Sequence, residues 1–174
     1  MKKRLALALV LAATLVFGWT LPAMAGNPTV TITMSAAVVS ISNTQNTWNV
    51  GPLTINDIVY FSGDNQEDVD YSEIENKGNV AVNVTIKGTN AVGTYSWTLG
   101  SAAGNQTFSL FANTEATNTT YDIEVTTGGT AWISNLAKDA TYKWSMKLTA
   151  PDEFDVADDG SDRVCTVTLV ASKA

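Results

Sequence analysis

The sequence predicts an all-β protein, a single antiparallel sandwich of about eight to nine short strands. Three observations carry that expectation. Beyond residue 25, apolar residues recur at every second position over most of the chain. No stretch there holds the i, i+3, i+4, i+7 apolar spacing of an amphipathic helix. Clusters of Asn, Gly, Asp, Ser and Thr punctuate the alternating runs at near-regular intervals. Side chains change face at each step of a strand, so period two marks a strand packed on one side and wet on the other.

The chain opens with Lys2, Lys3 and Arg4, an apolar run over residues 5–17, a turn-prone stretch with Pro22, and Ala23-Met24-Ala25. This is the order of a secretory signal cleaved before Gly26. The run is shorter than the ~20 residues a membrane-crossing helix needs, which favours a cleaved leader over a retained anchor. The expected organisation is a signal peptide over residues 1–25 and one β-sandwich domain over residues 26–174, with the product secreted to the cell surface or beyond. A domain of 149 residues is long enough to bury a core without disulfide staples.

The first expected strand alternates Val30, Ile32 and Met34 with Thr29, Thr31, Thr33 and Ser35. Strands are expected next over 38–41 and 53–61, and then in the clearest run, where Val80, Val82, Val84 and Ile86 alternate with Ala81, Asn83, Thr85 and Lys87. The same pattern continues in Tyr95/Trp97/Leu99, Phe108/Leu110/Ala112, Tyr121/Ile123/Val125, Tyr142/Trp144/Met146/Leu148 and Cys165/Val167/Leu169/Ala171. Between them, Asn76-Lys-Gly-Asn79, residues 100–105 and Thr127-Gly-Gly-Thr130 read as turns, because Gly and Asn tolerate φ > 0.

Composition excludes several function classes. Losing the leader would leave seven Lys and Arg against seventeen Asp and Glu, a formal charge of −10. Such a chain repels phosphate backbones and anionic lipid, so neither nucleic acid nor a membrane surface is expected as partner. The chain has no histidine, which removes most nucleophile–base dyads and most zinc or copper sites. Cys165 is the one cysteine, far from the leader, so it is neither a lipid-attachment residue nor half of an internal disulfide. It shares a strand face with Val167 and Leu169 and is expected to be a buried small hydrophobe.

Residues 64–75 place oxygen-bearing side chains at places 1, 3, 5, 7, 9 and 12 of a twelve-residue window, the spacing of calcium loops. Val69 stands at the sixth place, where such loops require Gly. The metal candidate that remains is a looser calcium site of Asp64, Asp68 and Asp70, joined by the second acidic loop over 152–162 and weighed against two merely solvated loops. Carboxylate pairs can hydrolyse glycosides, but these acids crowd into polar turns where raised pKa values are least expected, so no enzyme is expected. Trp48, Trp97, Trp132 and Trp144 raise carbohydrate stacking as an alternative; the strand faces of Trp97 and Trp144 point instead to core packing. Asn83, Asn105 and Asn118 each head an N-x-S/T triplet, a common chance occurrence in a chain rich in Thr and Asn.

In Leu136-Ala-Lys-Asp-Ala-Thr-Tyr142, a Leu precedes by six residues a Tyr that opens an alternating strand. This resembles the tyrosine corner of fibronectin type III and related immunoglobulin-like sandwiches, and implies that Tyr142 clamps backbone at a turn, with Leu136 beneath. The middle residues here, Lys138 and Asp139, replace the usual Pro-Gly. More widely, Trp48-Asn-Val-Gly51, Ile74-Glu-Asn-Lys-Gly-Asn-Val-Ala-Val82, Leu148-Thr-Ala-Pro151 and Cys165-Thr-Val-Thr-Leu169 are similar to the camelysin and TasA-type matrix fibre proteins of bacterial and archaeal surfaces. The resemblance implies a non-enzymatic surface protein that assembles with its own copies or with other surface proteins. A carbohydrate-binding or adhesion module is the alternative.

Overall fold

The computed structural model describes residues 33–45, 47–61, 71–113, 120–155 and 160–174. The chain divides into two units, residues 1–35 and residues 36–174. The candidate leader over 1–25 lies outside the described residues.

Alternation writes the second unit. Val82, Val84 and Ile86 are fully buried while Asn83 and Thr85 between them stay half-open. Burying each of the three stabilises by roughly 1.5–3 kcal/mol, so one face of this strand anchors the core. Phe108, Leu110 and Ala112 do the same, as do Trp144, Met146 and Leu148.

Eleven strands form among the described residues, with no helix: β1 (Ile41–Asn43), β2 (Ile58–Tyr60), β3 (Ser72–Asn76), β4 (Val82–Lys87), β5 (Thr98–Gly100) and β6 (Thr107–Asn113), then β7 (Tyr121–Glu124), β8 (Thr130–Leu136), β9 (Thr141–Trp144), β10 (Met146–Thr149) and β11 (Thr168–Lys173). They build three sheets, ordered β1-β3-β9, β2-β10-β6-β5 with β7 also on β6, and β11-β4-β8. All ladders are antiparallel except β5 on β6, which is parallel and so departs from a wholly antiparallel expectation. Buried residues from all three sheets meet in one hydrophobic cluster.

The strand number exceeds the expected eight to nine for physical reasons. β3 hides its inward face behind polar residues, Ser72 and Asn76, which are fully buried beside Ile74. β8 carries a register shift against β4, so its alternation is broken. The expected run 142–148 is divided at Ser145, whose N–H donates to the Asn113 side-chain oxygen at 2.9 Å. β9 thus belongs to the first sheet and β10 to the second.

β2 and β3 lie along this divided strand. Tyr60 pairs with Lys147 and Ser72 with Trp144, so eleven intervening residues on one side stand against two on the other. The ladder is described up to Phe61 and again from Ser72; residues 62–70, which hold most of the first acidic segment, lie outside the described residues.

Turn geometry is tied by buried asparagine. Asn76 is fully buried; its Nδ2 donates to Val80 O at 2.8 Å and to Leu136 O at 2.9 Å, and its Oδ1 accepts from Gly78 N at 2.9 Å. One carboxamide thus joins the β3–β4 turn to the end of β8. At Gly78 a Cβ would collide with Val38 O, so a side chain there would displace the segment that leads into β1.

Candidate assembly surface

The start of the second unit is laced to the β3–β4 turn. Asn79 N donates to Val38 O at 3.1 Å, its Oδ1 accepts from Val38 N at 2.7 Å, and its Nδ2 donates to Ala36 O at 2.8 Å. Lys77 and Gly78 both donate to Ser40 O. Residues 33–40 are exposed, and Met34 is 86% accessible. Of the expected first strand, Val30 and Ile32 lie outside the described residues. Residues 33–35 form no strand, so Met34 is not packed as an inward side chain.

At the far end of the chain, β11 pairs with β4 on one side. Cys165, Val167, Leu169 and Ala171 point at the core as alternation predicts, yet each is half-buried, whereas the facing β4 residues are fully buried. The expectation of a buried Cys165 is corrected accordingly: it is half-buried just ahead of β11, on whose outer side no strand lies among the described residues. The thiol donates to Thr89 O at 3.1 Å. Burial raises its pKa, and the Thr89 contacts oppose the rise. The neutral thiol is favoured in the fold, a stabilisation present below the free thiol's pKa and lost as pH rises through the raised value. Native alkylation by iodoacetamide at pH 7 is expected to run roughly tenfold or more slower than in denaturant. Equal rates would show an open thiol.

The four tryptophans among the described residues are engaged with neighbouring side chains. Trp48 meets Phe61 edge-on at 5.5 Å, Phe61 stacks on Trp144 at 5.3 Å, Trp144 meets Trp132 at 5.3 Å, and Trp132 meets Tyr142 at 5.6 Å. Trp132 Nε1 donates to Asn113 O at 2.8 Å, and Trp144 Nε1 to Asn43 Oδ1 at 3.0 Å. Trp97 lies parallel to Phe154 at 5.1 Å with the Arg163 guanidinium 4.5 Å from its centroid. The large apolar side chains that are exposed among the described residues are aliphatic, such as Val38, Ile58, Val92, Val164 and Val170. A shallow depression over the β4–β8 pair is lined by Asn83, Thr85, Ala131, Trp132 and Ser134 and carries no acid or base.

Leu136 is buried at the end of β8, and Tyr142 is half-buried in β9 opposite Ile74. Between them Ala140 N donates to Ala137 O, and Asp139 adopts φ 59°, a left-handed backbone conformation that Gly takes most readily. Tyr121, whose hydroxyl lies 3.2 Å from Ser145 Oγ, has its pKa raised by burial. Asp64, Asp68 and Asp70 lie outside the described residues. In the second acidic loop Asp152, Glu153 and Asp155 are exposed, and Glu153 accepts from Asn105 Nδ2 at 2.8 Å. Among the described residues no three Cys, Asp or Glu side chains converge on a cation site, and no helix is long and apolar enough to cross a membrane.

The residues that sequence reasoning missed are the buried asparagines Asn76 and Asn113 and the half-buried Asn43. The available signal was an Asn at strand ends beside short turns, which reads equally well as turn chemistry. Comparison with known families, with characterised proteins and with solved structures returns no match.

Proposed function

We propose that this chain is a structural subunit of the cell surface: exported, relieved of residues 1–25, folded as an immunoglobulin-like sandwich, and joined to further copies by strand pairing without a catalytic or cofactor site. The observation that carries the reading is at the start of the second unit. Unit 36–174 begins at Ala36 without slack, its backbone held by Asn79, and the residues ahead of it expose a large apolar side chain, Met34. Residues 29–35 alternate three apolar side chains with hydroxyl residues, the pattern of a strand that needs a sheet to join. A strand donated to the next copy satisfies its backbone groups there and repeats head to tail into a fibre. Pro28, which has no N–H to give a ladder, marks the start of the donated stretch.

The carbohydrate-binding alternative needs aromatic rings free to stack on sugars, and the tryptophans here are committed to one another and to Phe, Tyr and Arg neighbours. Sedimentation and electron microscopy of the chain from Gly26 are expected to show long assemblies. Removing residues 26–35 is expected to abolish them while leaving a cooperatively folding monomer. Filaments from the shortened chain, or a full chain that stays monomeric at high concentration, would overturn the proposal.

A further inference from the structure

We infer that the acceptor for the donated strand is the free edge of β11, with residues 29–35 of a second copy as its occupant; the inference rests on the assembly reading above. Register shows which backbone groups are available. Ala174 N donates to Ala81 O at 3.0 Å and Thr89 N to Thr166 O at 3.1 Å, both in line with the ladder that pairs Thr168 with Lys87 and Lys173 with Val82. Hydrogen-bonded positions alternate in an antiparallel pair. Thr168, Val170 and Ser172 therefore direct their N–H and C=O groups at β4. Val167, Leu169, Ala171 and Lys173 direct theirs at the side where no described strand pairs.

The other edges are guarded and this one is not. β1, β2 and β5 are three residues long, and β9, the other edge of the first sheet, is four residues long with Lys143 exposed on it. β7 and β8 are interrupted by register shifts in their ladders. Short strands and bulges are the devices by which sheets refuse further strands. β11 is six residues long, regular throughout its pairing, free of Pro and Asp or Glu, and charged at its last residue alone. Its outer-face Val170 is 48% exposed, and its inner face is half-covered at Val167, Leu169 and Ala171.

The proposed occupant matches this edge in length, pattern and charge. Seven residues of strand span about 23 Å, against about 20 Å for β11. With Thr29, Thr31, Thr33 and Ser35 outward, Val30, Ile32 and Met34 lie beside Val167, Leu169 and Ala171 and finish covering the core that β11 leaves half-open. Both segments are uncharged over 29–35 and 166–172, so two strongly acidic copies meet along a neutral seam.

Hydrogen exchange on the assembled and unassembled full-length mature chain tests this. Amides of Val167, Leu169, Ala171 and Lys173 are expected to slow by roughly 100-fold on assembly, while those of Thr168, Val170 and Ser172 are protected in both states. Ala171→Pro removes one free-edge donor without touching the β4 ladder and is expected to abolish filaments; Ile58→Lys on the β2 edge is expected to leave them intact. Filaments that need residues 29–35, yet leave the four amides exchanging as in the monomer, would overturn the β11 assignment while sparing the assembly reading. A β11 edge protected already in the monomer, or one that seals against another β11, would overturn it too. Absence of any filament from the unaltered chain overturns both.

Discussion

Asn76→Ala is expected to lower stability by about 4 kcal/mol, a large part of the 5–15 kcal/mol that holds a domain of this size together. The side chain sits in a fully buried place and satisfies three backbone groups: Val80 O, Leu136 O and Gly78 N. Alanine leaves all three without their side-chain partner, each costing roughly 1–3 kcal/mol. Asn76→Asp keeps the acceptor, loses both donors and buries a carboxylate, so it is expected to do at least as much damage. Asn79→Ala is the control, since its bonds to Ala36 and Val38 are exposed and its loss is expected to cost below about 1 kcal/mol. Urea unfolding with an unchanged slope reads these differences. An Asn76→Ala midpoint close to that of Asn79→Ala would show that the two turns are held some other way.

Trp144→Ala is expected to cost about 4 kcal/mol through lost burial and the cavity left behind. The ring is buried between Phe61 and Trp132 and donates through Nε1 to Asn43, whose oxygen also accepts from Ser72 Oγ at 2.7 Å. It joins β9 to β1 and to the chain just before the first acidic segment. Trp144→Phe keeps most of the apolar contact and deletes the donor, so roughly 1–2 kcal/mol is expected. Near-ultraviolet circular dichroism together with denaturant unfolding would separate the two, with the aromatic signal collapsing in the alanine variant. Equal losses in both variants would mean that the hydrogen bond outweighs the packing.

The all-β class, the turns and most inward faces were legible because each rests on local geometry. Period two at Val82, Val84 and Ile86 or at Phe108, Leu110 and Ala112 needs no knowledge of the partner strand: one face must be buried whatever it packs on. β3 was illegible for the opposite reason. Ser72 and Asn76 are inward and Glu73 and Glu75 outward, so polarity fails to distinguish the faces until Asn43, Val80 and Leu136 supply partners. The first expected strand lies mostly outside the described residues; within them Met34 has the right periodicity and 33–35 form no strand. Periodicity states what a segment needs; it does not state which sheet supplies it.

Local chemistry alone therefore determined the all-β class, most of the turns, the core-facing sets of β4, β6 and β10, and the lack of any histidine side chain. Tertiary structure alone decided how the ladders join. It placed the break at Ser145 where Asn113 intervenes, the parallel seat of β5 on β6, the mutual packing of Trp48, Trp132 and Trp144, and the half-open inner face of β11. The physical reason is that strand pairing and burial of polar side chains are relations between residues far apart in the chain. Asn43 and Trp144 lie 101 positions apart, and Asn76 and Leu136 lie 60 apart. A hydrogen-bond donor in either place acquires its meaning from an acceptor that only folding brings within 3 Å.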